Sequence, residues 1–393
     1  MNQDNQDQTA ILACMVDFQK AFNRINHNLI VTKVSDMGVP GWLLRIVIAF
    51  LNNRKMLVRY KAKLSSIKSL PGGGPQGTLL GLLIFIILIN DVGFEDQQNN
   101  LGEIITSKRH IKRANHIHMK YVDDLSIAEA INLPERLEIN SDRPQPDNYH
   151  SRTGHTLQPG KSLVYNQLLK IEEYARRNDM KINQRKTKVM VFNPCKSIDF
   201  MPKLVLQGQL LEVVEDIRIL GIIISSDLSW HANTEFIVSK ANKRLWILRR
   251  LAALGASTDD LIKIYRTQIR CVLELAVPVW QSSLSQADKI KIERVQKSAL
   301  HIIMGEGYLS YNNALRVLSL ETLESRRNLL CLKFARKCEK HEKFRHWFKL
   351  DQNTTNTRSK KLKYCEVSAR LSRFKKSPIS FLTSMLNEHY KTK

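Results

Sequence analysis

Three aspartates in this sequence, Asp17, Asp123 and Asp124, have the chemistry to hold divalent metal ions together. Mg²⁺ prefers oxygen ligands in octahedral geometry and shares its coordination shell with substrate phosphates, so two or three carboxylates on neighbouring strands suffice. Two such ions stabilise the attacking and leaving oxygens of a nucleotidyl transfer. An Asp-Asp pair alone is weak evidence, because the dipeptide is common in ordinary turns. The strands and turns around these aspartates must therefore show whether the three side chains form one metal site.

Short apolar runs predict strands that would bring these carboxylates together. Residues 11–16 read as a buried strand that ends at Asp17. Residues 117–120 and 125–128 flank the acidic pair in the pattern of a β-hairpin. If the strand pairs with the hairpin, the three carboxylates meet.

The remaining periodicity predicts a mixed region followed by a helical one. Helices are expected at residues 29–37, 42–51, 79–89 and about 162–177, a pair of strands at 56–60 and 64–70, further strands at 188–192 and 217–224, and a hairpin over 204–211. From about residue 235 onward only helical patterns occur. The predicted fold class is α+β.

Further motifs occur in an order that resembles the reverse transcriptase family, particularly the enzymes of non-LTR (LINE-type) retrotransposons. The resemblance covers about residues 11–340. It is carried by Val-Asp-Phe-Gln-Lys-Ala-Phe-Asn-Arg-Ile at 16–25, Gly-Pro-Gln-Gly-Thr-Leu-Leu-Gly at 74–81, Lys-Tyr-Val-Asp-Asp at 120–124, Lys-Ile-Asn at 181–183, Lys-Thr-Lys at 186–188, Met-Val-Phe at 190–192 and Leu-Gly-Ile-Ile-Ile at 220–224.

The resemblance implies a role for each matched position. The metal ligands would be Asp17, Asp123 and Asp124, with the backbone carbonyl of Phe18 as a further ligand. The ring of Phe22 would lie against the sugar of the incoming nucleotide and select deoxynucleotides. The other residues expected to contact nucleotide, primer or template are Pro75, Gln76, Gly77, Tyr121, Val122, Leu220 and Gly221.

A lysine is expected to protonate the leaving pyrophosphate, because a cation there both stabilises charge and donates a proton. Lys186 and Lys188 are the candidates. Strand alternation would place both on the face of Met190 and Phe192, so periodicity does not choose between them.

The family also implies a domain plan. Residues 1–225 would form the palm of a right-hand polymerase, an antiparallel sheet packed on helices, with an exposed insertion at 133–160. A helical thumb would follow at 226–345 and a basic C-terminal tail at 346–393. The fingers region is not recognisable, and neither are an endonuclease domain, a Cys/His knuckle or a ribonuclease H site, so an N-terminally truncated enzyme is expected.

Composition points to a polyanionic partner. Lys and Arg number 61 against 37 Asp and Glu, and the formal net charge is +24. Together with the resemblance, this predicts an RNA template, a DNA primer and deoxynucleoside triphosphates as partners, with two Mg²⁺ ions that Mn²⁺ could replace. No leader sequence and no membrane-length apolar run is visible, so an intracellular protein, nuclear or cytoplasmic and not secreted, is expected.

The leading hypothesis is an RNA-directed DNA polymerase of a non-LTR retrotransposon. The alternative is a catalytically inactive, truncated remnant that only binds nucleic acid. A retron or group II intron enzyme fits the carboxylates equally well, whereas the Lys-Thr-Lys motif favours the LINE type. An unrelated Asp-dependent phosphohydrolase leaves Pro75, Gln76 and Gly77 unexplained.

Overall fold

The computed structural model describes residues 9–70, 72–75, 77–90, 116–121, 124–132, 154–156, 162–192, 201–350, 363–366 and 375–391. The chain divides into two compact units, residues 1–215 and 216–393. Strands occur mainly in unit 1 and helices dominate unit 2. The predicted α+β class is confirmed.

Unit 1 contains thirteen of the described strands and four α-helices. The strands are β1 (Thr9–Val16), β2 (Lys55–Met56), β3 (Arg59–Tyr60), β4 (Lys63–Leu64), β5 (Lys68–Ser69), β6 (His116–Tyr121), β7 (Asp124–Asn132), β8 (Gly154–Thr156), β9 (Lys188–Phe192), β10 (Met201–Lys203), β11 (Val205–Leu206), β12 (Gln209–Leu210) and β13 (Glu212–Val213). The helices are α1 (His27–Asp36), α2 (Gly41–Leu51), α3 (Leu79–Ile89) and α4 (Leu163–Arg177).

A five-stranded sheet in the order β13-β9-β1-β7-β6 forms the centre of unit 1. The strand β1 pairs antiparallel with β7 on one side and with β9 on the other, which explains its nearly continuous apolar sequence. Helix α4 packs on this sheet through Val164, Leu168, Ile171 and Ala175, all buried and spaced as one helical face. The sheet thus fixes the end of β1, where Asp17 lies.

Two predicted hairpins of unit 1 are confirmed. Residues 55–69 form a long hairpin in which β2 pairs with β5 and β3 with β4. Strands β11 and β12 form the second around Gly208, whose φ of 75° suits a tight turn. The predicted insertion at 133–160 lies outside the described residues except for β8, which pairs in parallel with β10.

Unit 2 begins with a hairpin and continues as helices. The strands are β14 (Asp216–Ile219) and β15 (Ile222–Ser225). The helices are α5 (His231–Ala253), α6 (Thr258–Ile264), α7 (Cys271–Leu273), α8 (Val277–Trp280), α9 (Gln286–Met304), α10 (Tyr311–Val317), α11 (Leu323–Lys340) and α12 (Pro378–Lys391). A π-helical stretch, Tyr265–Arg270, joins α6 to α7.

The prediction of one strand over residues 217–224 was wrong, because the chain reverses in the middle of this apolar run. Leu220 and Gly221 have φ angles of 48° and 89° and form the two-residue turn between β14 and β15. Two consecutive positive φ angles are typical of such hairpin turns. Ile222 then packs in the helical core of unit 2.

The basic C-terminal segment includes a folded part that the sequence did not indicate. Leu382 and Leu386 of α12 are buried in the core of unit 2. Asn387 brackets the backbone of Tyr364: its Oδ1 accepts from the Tyr364 N–H at 2.9 Å and its Nδ2 donates to the carbonyl at 3.0 Å. The apolar spacing of α12 is obscured in sequence by the surrounding lysines.

Across the parts of the chain that the structure describes, no helix has the length and apolarity needed to cross a membrane.

Candidate active site

Asp17 follows β1 directly, and the turn at residues 181–187 holds the Asp17 backbone through both its N–H and its carbonyl. The Asp17 carbonyl accepts from the Asn183 N–H at 2.7 Å, and the Asp17 N–H donates to Oγ1 of Thr187 at 3.3 Å. Thr187 is fully buried. The next hydrogen bond runs from the Gln19 N–H to the Lys181 carbonyl at 2.7 Å. The turn therefore fixes the backbone of Asp17 beyond the end of the strand.

The strand register places Asp17 beside Asp124. Val16, the last residue of β1, lies opposite Leu125 of β7. In an antiparallel pair one step forward on one strand matches one step back on the other, so the backbone of Asp17 comes opposite that of Asp124. The backbones of two of the three predicted metal-binding residues, Asp17 and Asp124, are thus adjacent at one end of the sheet.

The predicted hairpin around the acidic pair is confirmed by its backbone. Strand β6 ends at Tyr121, β7 begins at Asp124, and these two residues are register partners. Some predicted site residues fall outside what the structure describes: Gln76, Val122 and Asp123 entirely, and Tyr121 and Asp124 in their side chains.

The carbonyl of Phe18 faces away from the turn at residues 181–187. Phe18 forms an isolated antiparallel bridge with Ile182. The hydrogen bonds of this bridge use the Asp17 carbonyl and the Gln19 N–H, not the carbonyl of Phe18. Because successive carbonyls of an extended chain alternate in direction, the Phe18 carbonyl points away from Ile182.

The two candidate lysines lie in different surroundings. Lys186 Nζ is 4.0 Å from Oδ2 of Asp17, whereas Lys188 forms an ion pair with Glu212. Lys186 belongs to the turn and not to β9, because the N–H groups of Lys186 and Thr187 both donate to the Asn183 carbonyl. Strand alternation therefore does not extend to Lys186, and only this lysine is brought to Asp17.

The donor chemistry at Asp17 fits a hard divalent cation. About a third of its side chain is exposed, and its cationic neighbour, Lys186, is 71% exposed and can move away. Groups of three or more metal-binding side chains are absent among the described residues, which include only the Asp17 side chain of the three predicted carboxylates. Carboxylate and carbonyl oxygens suit Mg²⁺ or Mn²⁺.

Phe22 lies in a 3₁₀ turn, Ala21–Arg24, five residues after Asp17. Its ring stacks on Phe85 of α3, with ring centroids 4.5 Å apart and an interplanar angle of 23°. Phe85 is fully buried, and the Phe22 carbonyl accepts from the Gly74 N–H at 2.7 Å. The ring predicted to contact the sugar is therefore fixed by its stack on Phe85, and the backbone of Phe22 is fixed by its hydrogen bond to Gly74.

The glycine-rich segment at residues 72–74 is docked on this turn and is not a plain flexible loop. The Gly73 N–H donates to the Ile25 carbonyl at 2.8 Å. The Gly73 carbonyl accepts from Nε2 of His27 at 2.8 Å and from Nη1 of Arg54 at 2.9 Å. Gly73 has a φ of +84°, and a Cβ there would lie 3.1 Å from the Asn23 carbonyl oxygen, so the approach requires glycine.

His27 and Arg54 are site-supporting residues that sequence reasoning missed. Both lie outside the recognised motifs, and a histidine at a helix start or an arginine before a strand carries no functional signal by itself. Their common partner is a backbone carbonyl, which no side-chain pattern reveals.

Pro75 and Gly77 lie at the N-terminus of α3. Thr78 Oγ1 donates to the Pro75 carbonyl at 2.9 Å and accepts from the Gly81 N–H at 3.1 Å, so it both caps the helix and holds the preceding segment. A Cβ on Gly81 would lie 2.2 Å from the Pro75 carbonyl oxygen. Gly81 therefore permits the contact between helix and segment.

Leu220 and Gly221 form the β14–β15 turn of unit 2. Leu220 is 52% exposed, and a Cβ on Gly221 would lie 3.2 Å from the Leu275 side chain. Their expected contact with the primer stays a prediction.

Comparison with known proteins identifies the family. The family described as reverse transcriptase (RNA-dependent DNA polymerase) matches residues 1–224, more than half of the chain. The chain belongs to this family, and the family predicted from the order of the motifs is confirmed.

Two curated relatives come from mobile elements of flies. The RNA-directed DNA polymerase from mobile element jockey of Drosophila funebris is 22% identical over 301 residues, which cover 75% of this chain and 28% of that protein. The probable RNA-directed DNA polymerase from transposon BS of Drosophila melanogaster is 20% identical over 324 residues, 79% of this chain and 31% of that protein. The chain spans about a third or less of the length of these relatives.

Solved structures with a detectable likeness include telomerases. Telomerase from Candida tropicalis in complex with a TWJ fragment of telomeric RNA has a TM-score of 0.37 at 10% identity, covering 85% of this chain and 42% of that chain. The apo telomerase of the same organism has a TM-score of 0.36 at 10% identity, covering 78% and 46%. Both TM-scores are low.

Proposed function

We propose that this chain carries the polymerase site of an RNA-directed DNA polymerase of a non-LTR retrotransposon. It adds deoxynucleotides to the 3′-hydroxyl of a DNA primer on an RNA template. The observation that carries the proposal is the register of β1 with β7, which sets Asp17 beside Asp124 at the end of a sheet. Membership of the reverse transcriptase family supports the same reaction.

Asp17, Asp123, Asp124 and the carbonyl of Phe18 would hold two Mg²⁺ ions, and Mn²⁺ could replace them. Such ions lower the pKa of the primer hydroxyl and stabilise charge on the attacking and leaving oxygens. The protein's own contribution is positional. The hydrogen bonds of Asp17 to Asn183 and Thr187 hold its backbone against the turn at residues 181–187, so the backbone of this metal-binding residue does not have to be positioned during the reaction.

Lys186 is the residue that protonates the leaving pyrophosphate. It lies 4.0 Å from Oδ2 of Asp17 and is mostly exposed, so its ammonium can turn to a phosphate near the carboxylates. Lys188 is held in an ion pair with Glu212 and serves the packing of β9 against β13.

Phe22 selects the sugar of the incoming nucleotide. A rigid ring excludes a 2′-hydroxyl only if it cannot retreat, and the stack on Phe85 together with the Gly74 hydrogen bond prevents this. Pro75, Gln76 and Gly77 lie against the nascent base pair, where the glycine allows close backbone approach.

Residues 1–225 would act as the palm and residues 226–345 as the thumb of a right-hand polymerase, and the Leu220–Gly221 turn would contact the primer. The formal net charge of +24 supports binding of the primer and template phosphates. Tyr121 and Val122, beside the acidic pair, complete the nucleotide site.

Primer extension on an RNA template tests the proposal. The purified chain should extend a DNA primer with Mg²⁺ or Mn²⁺ and deoxynucleoside triphosphates, and Asp17→Asn and Asp123→Asn should each abolish extension. Asp36→Asn is the matched control, because Asp36 is exposed at the end of α1, and it should extend like the parent.

Two outcomes would count against this function. One is an Asp123→Asn variant as active as the parent. The other is salt-dependent binding of nucleic acid without extension under either metal, which is the behaviour of an inactive remnant.

A further inference from the structure

The hairpin of residues 55–69, here called the cationic hairpin, is exposed along its entire length. The β2–β5 and β3–β4 pairings form its base and tip. Between them, Ser65 N–H donates to the Val58 carbonyl at 2.9 Å and Val58 N–H donates to Oγ of Ser65 at 2.9 Å. An isolated two-stranded hairpin is only marginally stable in water, so such an element is expected to have a partner.

The charge of this hairpin has one sign. Between residues 37 and 90 the sequence contains no Asp or Glu. The cations of the hairpin are Lys55, Arg59, Lys61, Lys63 and Lys68. No ion pair links any of them to a residue that the structure describes. A polyanion is the complementary partner.

The pairing register shows which kind of polyanion fits. Three register pairs combine an apolar or aromatic residue with a cation: Met56 with Lys68, Tyr60 with Lys63 and Leu64 with Arg59. Register partners share a face, so docking either face on an apolar protein core would bury these cations without a counter-charge, which is unfavourable. A nucleic acid strand offers phosphates to the cations and sugars or bases to the apolar side chains.

The tip of the cationic hairpin favours a single-stranded nucleic acid over a duplex. Tyr60 is 73% exposed, and Lys61, beside it, has a φ of 53° at the turn, an uncommon conformation for a residue other than glycine. The Lys61 ammonium lies 5.7 Å from the Tyr60 ring centroid. An exposed ring with a cation beside it can stack on a base only where that base has no stacked neighbour, as in a single strand.

We propose that the cationic hairpin binds single-stranded RNA, with its lysines and arginine on the phosphates and Tyr60 stacked on a base. The inference rests on the proposed function, in which the single-stranded RNA is the template. It adds to that function a binding surface outside the carboxylate site.

Binding of a single-stranded RNA oligonucleotide to the full chain tests the proposal without any need for catalysis. In one variant the five hairpin cations are changed to Gln. The matched control loses the same charge at five exposed cations on or just after α11, none of them ion-paired with a described residue: Lys333, Arg336, Lys337, Lys340 and Lys343. Thermal unfolding checks that both variants are folded.

The expected change in the salt dependence of RNA binding follows from counterion release. Each phosphate contact on a single strand contributes a slope of about −0.7 in log K against log salt, so five contacts contribute about −3.5. Over a fourfold rise in salt the parent should lose about 100-fold more affinity than the hairpin variant. The control should keep the parent slope to within about one contact.

The single substitution Tyr60→Ala tests the stacking separately. It should weaken RNA binding about tenfold or more, whereas Tyr60→Phe, which keeps the ring, should bind like the parent. Ultraviolet cross-linking should attach RNA to the peptide that contains Tyr60.

The outcomes separate this proposal from the proposed function. If the hairpin variant and its control have the same salt slope, or if the hairpin prefers duplex DNA to single-stranded RNA, the hairpin proposal is overturned even in a chain that extends primers. If the hairpin variant alone loses RNA binding in a chain that extends no primer, the hairpin proposal stands and the polymerase function falls.

Discussion

Gly81→Ala should disable the site although it places a better helix former in a helix. Replacing a glycine inside a helix by alanine usually stabilises by about 1 kcal/mol. At Gly81 the new Cβ would lie 2.2 Å from the Pro75 carbonyl oxygen and 2.8 Å from Thr78 Oγ1, and Cβ contacts under 3.0 Å are essentially never found. The Pro75 carbonyl is backbone, so the segment itself has to move.

The required displacement is at least 0.8 Å, the difference between 3.0 Å and the 2.2 Å contact. Such a shift breaks the hydrogen bond from Thr78 to Pro75 and moves the residues expected to face the nascent base pair. A misplacement of about 1 Å can lower a rate about 100-fold. We therefore expect kcat/KM for primer extension to fall about 100-fold, and the overpacking to destabilise the chain by about 1–3 kcal/mol.

Gly41→Ala is the control. Gly41 begins α2, its φ is not positive, and no atom lies within 4 Å of a Cβ built there. It should extend primers at the parent rate and unfold at the parent temperature or slightly above. Extension by Gly81→Ala within about threefold of the parent would refute the claim that the Pro75 contact positions the site.

Two further predictions concern the turn at residues 181–187. Thr187→Val removes the hydroxyl that accepts from the Asp17 N–H but keeps the shape of the side chain, so extension should need a higher Mg²⁺ concentration. Thr187→Ser keeps the hydroxyl and should show the Mg²⁺ dependence of the parent. Unchanged Mg²⁺ dependence in the Val variant would contradict a positioning role for Thr187. Lys186→Met should slow single-turnover extension by about 100-fold or more, because a general acid is lost. Lys188→Met should change the rate little, since Lys188 pairs with Glu212, and equal defects in the two lysine variants would refute the assignment.

The sequence was enough to predict those strands and helices whose structure is determined by a local pattern of residues. The apolar run of β1 and the two short runs beside Tyr121 predicted the strand and the hairpin, because central strands and hairpin turns have distinctive composition. The helices α3 and α4 followed from length and periodicity in the same way. The predicted positions of Asp17 and Asp124 at neighbouring strand ends depend on these elements alone.

Backbone reversals inside apolar runs were not predictable in this way. The five isoleucines of β14 and β15 that surround Leu220 and Gly221 suggest one strand, and only the glycine indicates a turn. Similarly, strand alternation does not reach Lys186, because the Asn183 carbonyl accepts two N–H groups and turns the chain before β9 begins.

The position of Asp17 shows why part of the site is beyond local sequence reasoning. The Thr187 hydroxyl that holds its N–H is 170 residues away along the chain. A buried hydroxyl needs a partner, and here that partner is the N–H of Asp17, the residue that follows β1. The same short turn also carries Lys186, so one set of hydrogen bonds places both the carboxylate that would hold metal and the ammonium that would donate the proton. The separation of these two groups is therefore set by the turn and not by the strands, and changes in the turn should affect metal binding and proton transfer together.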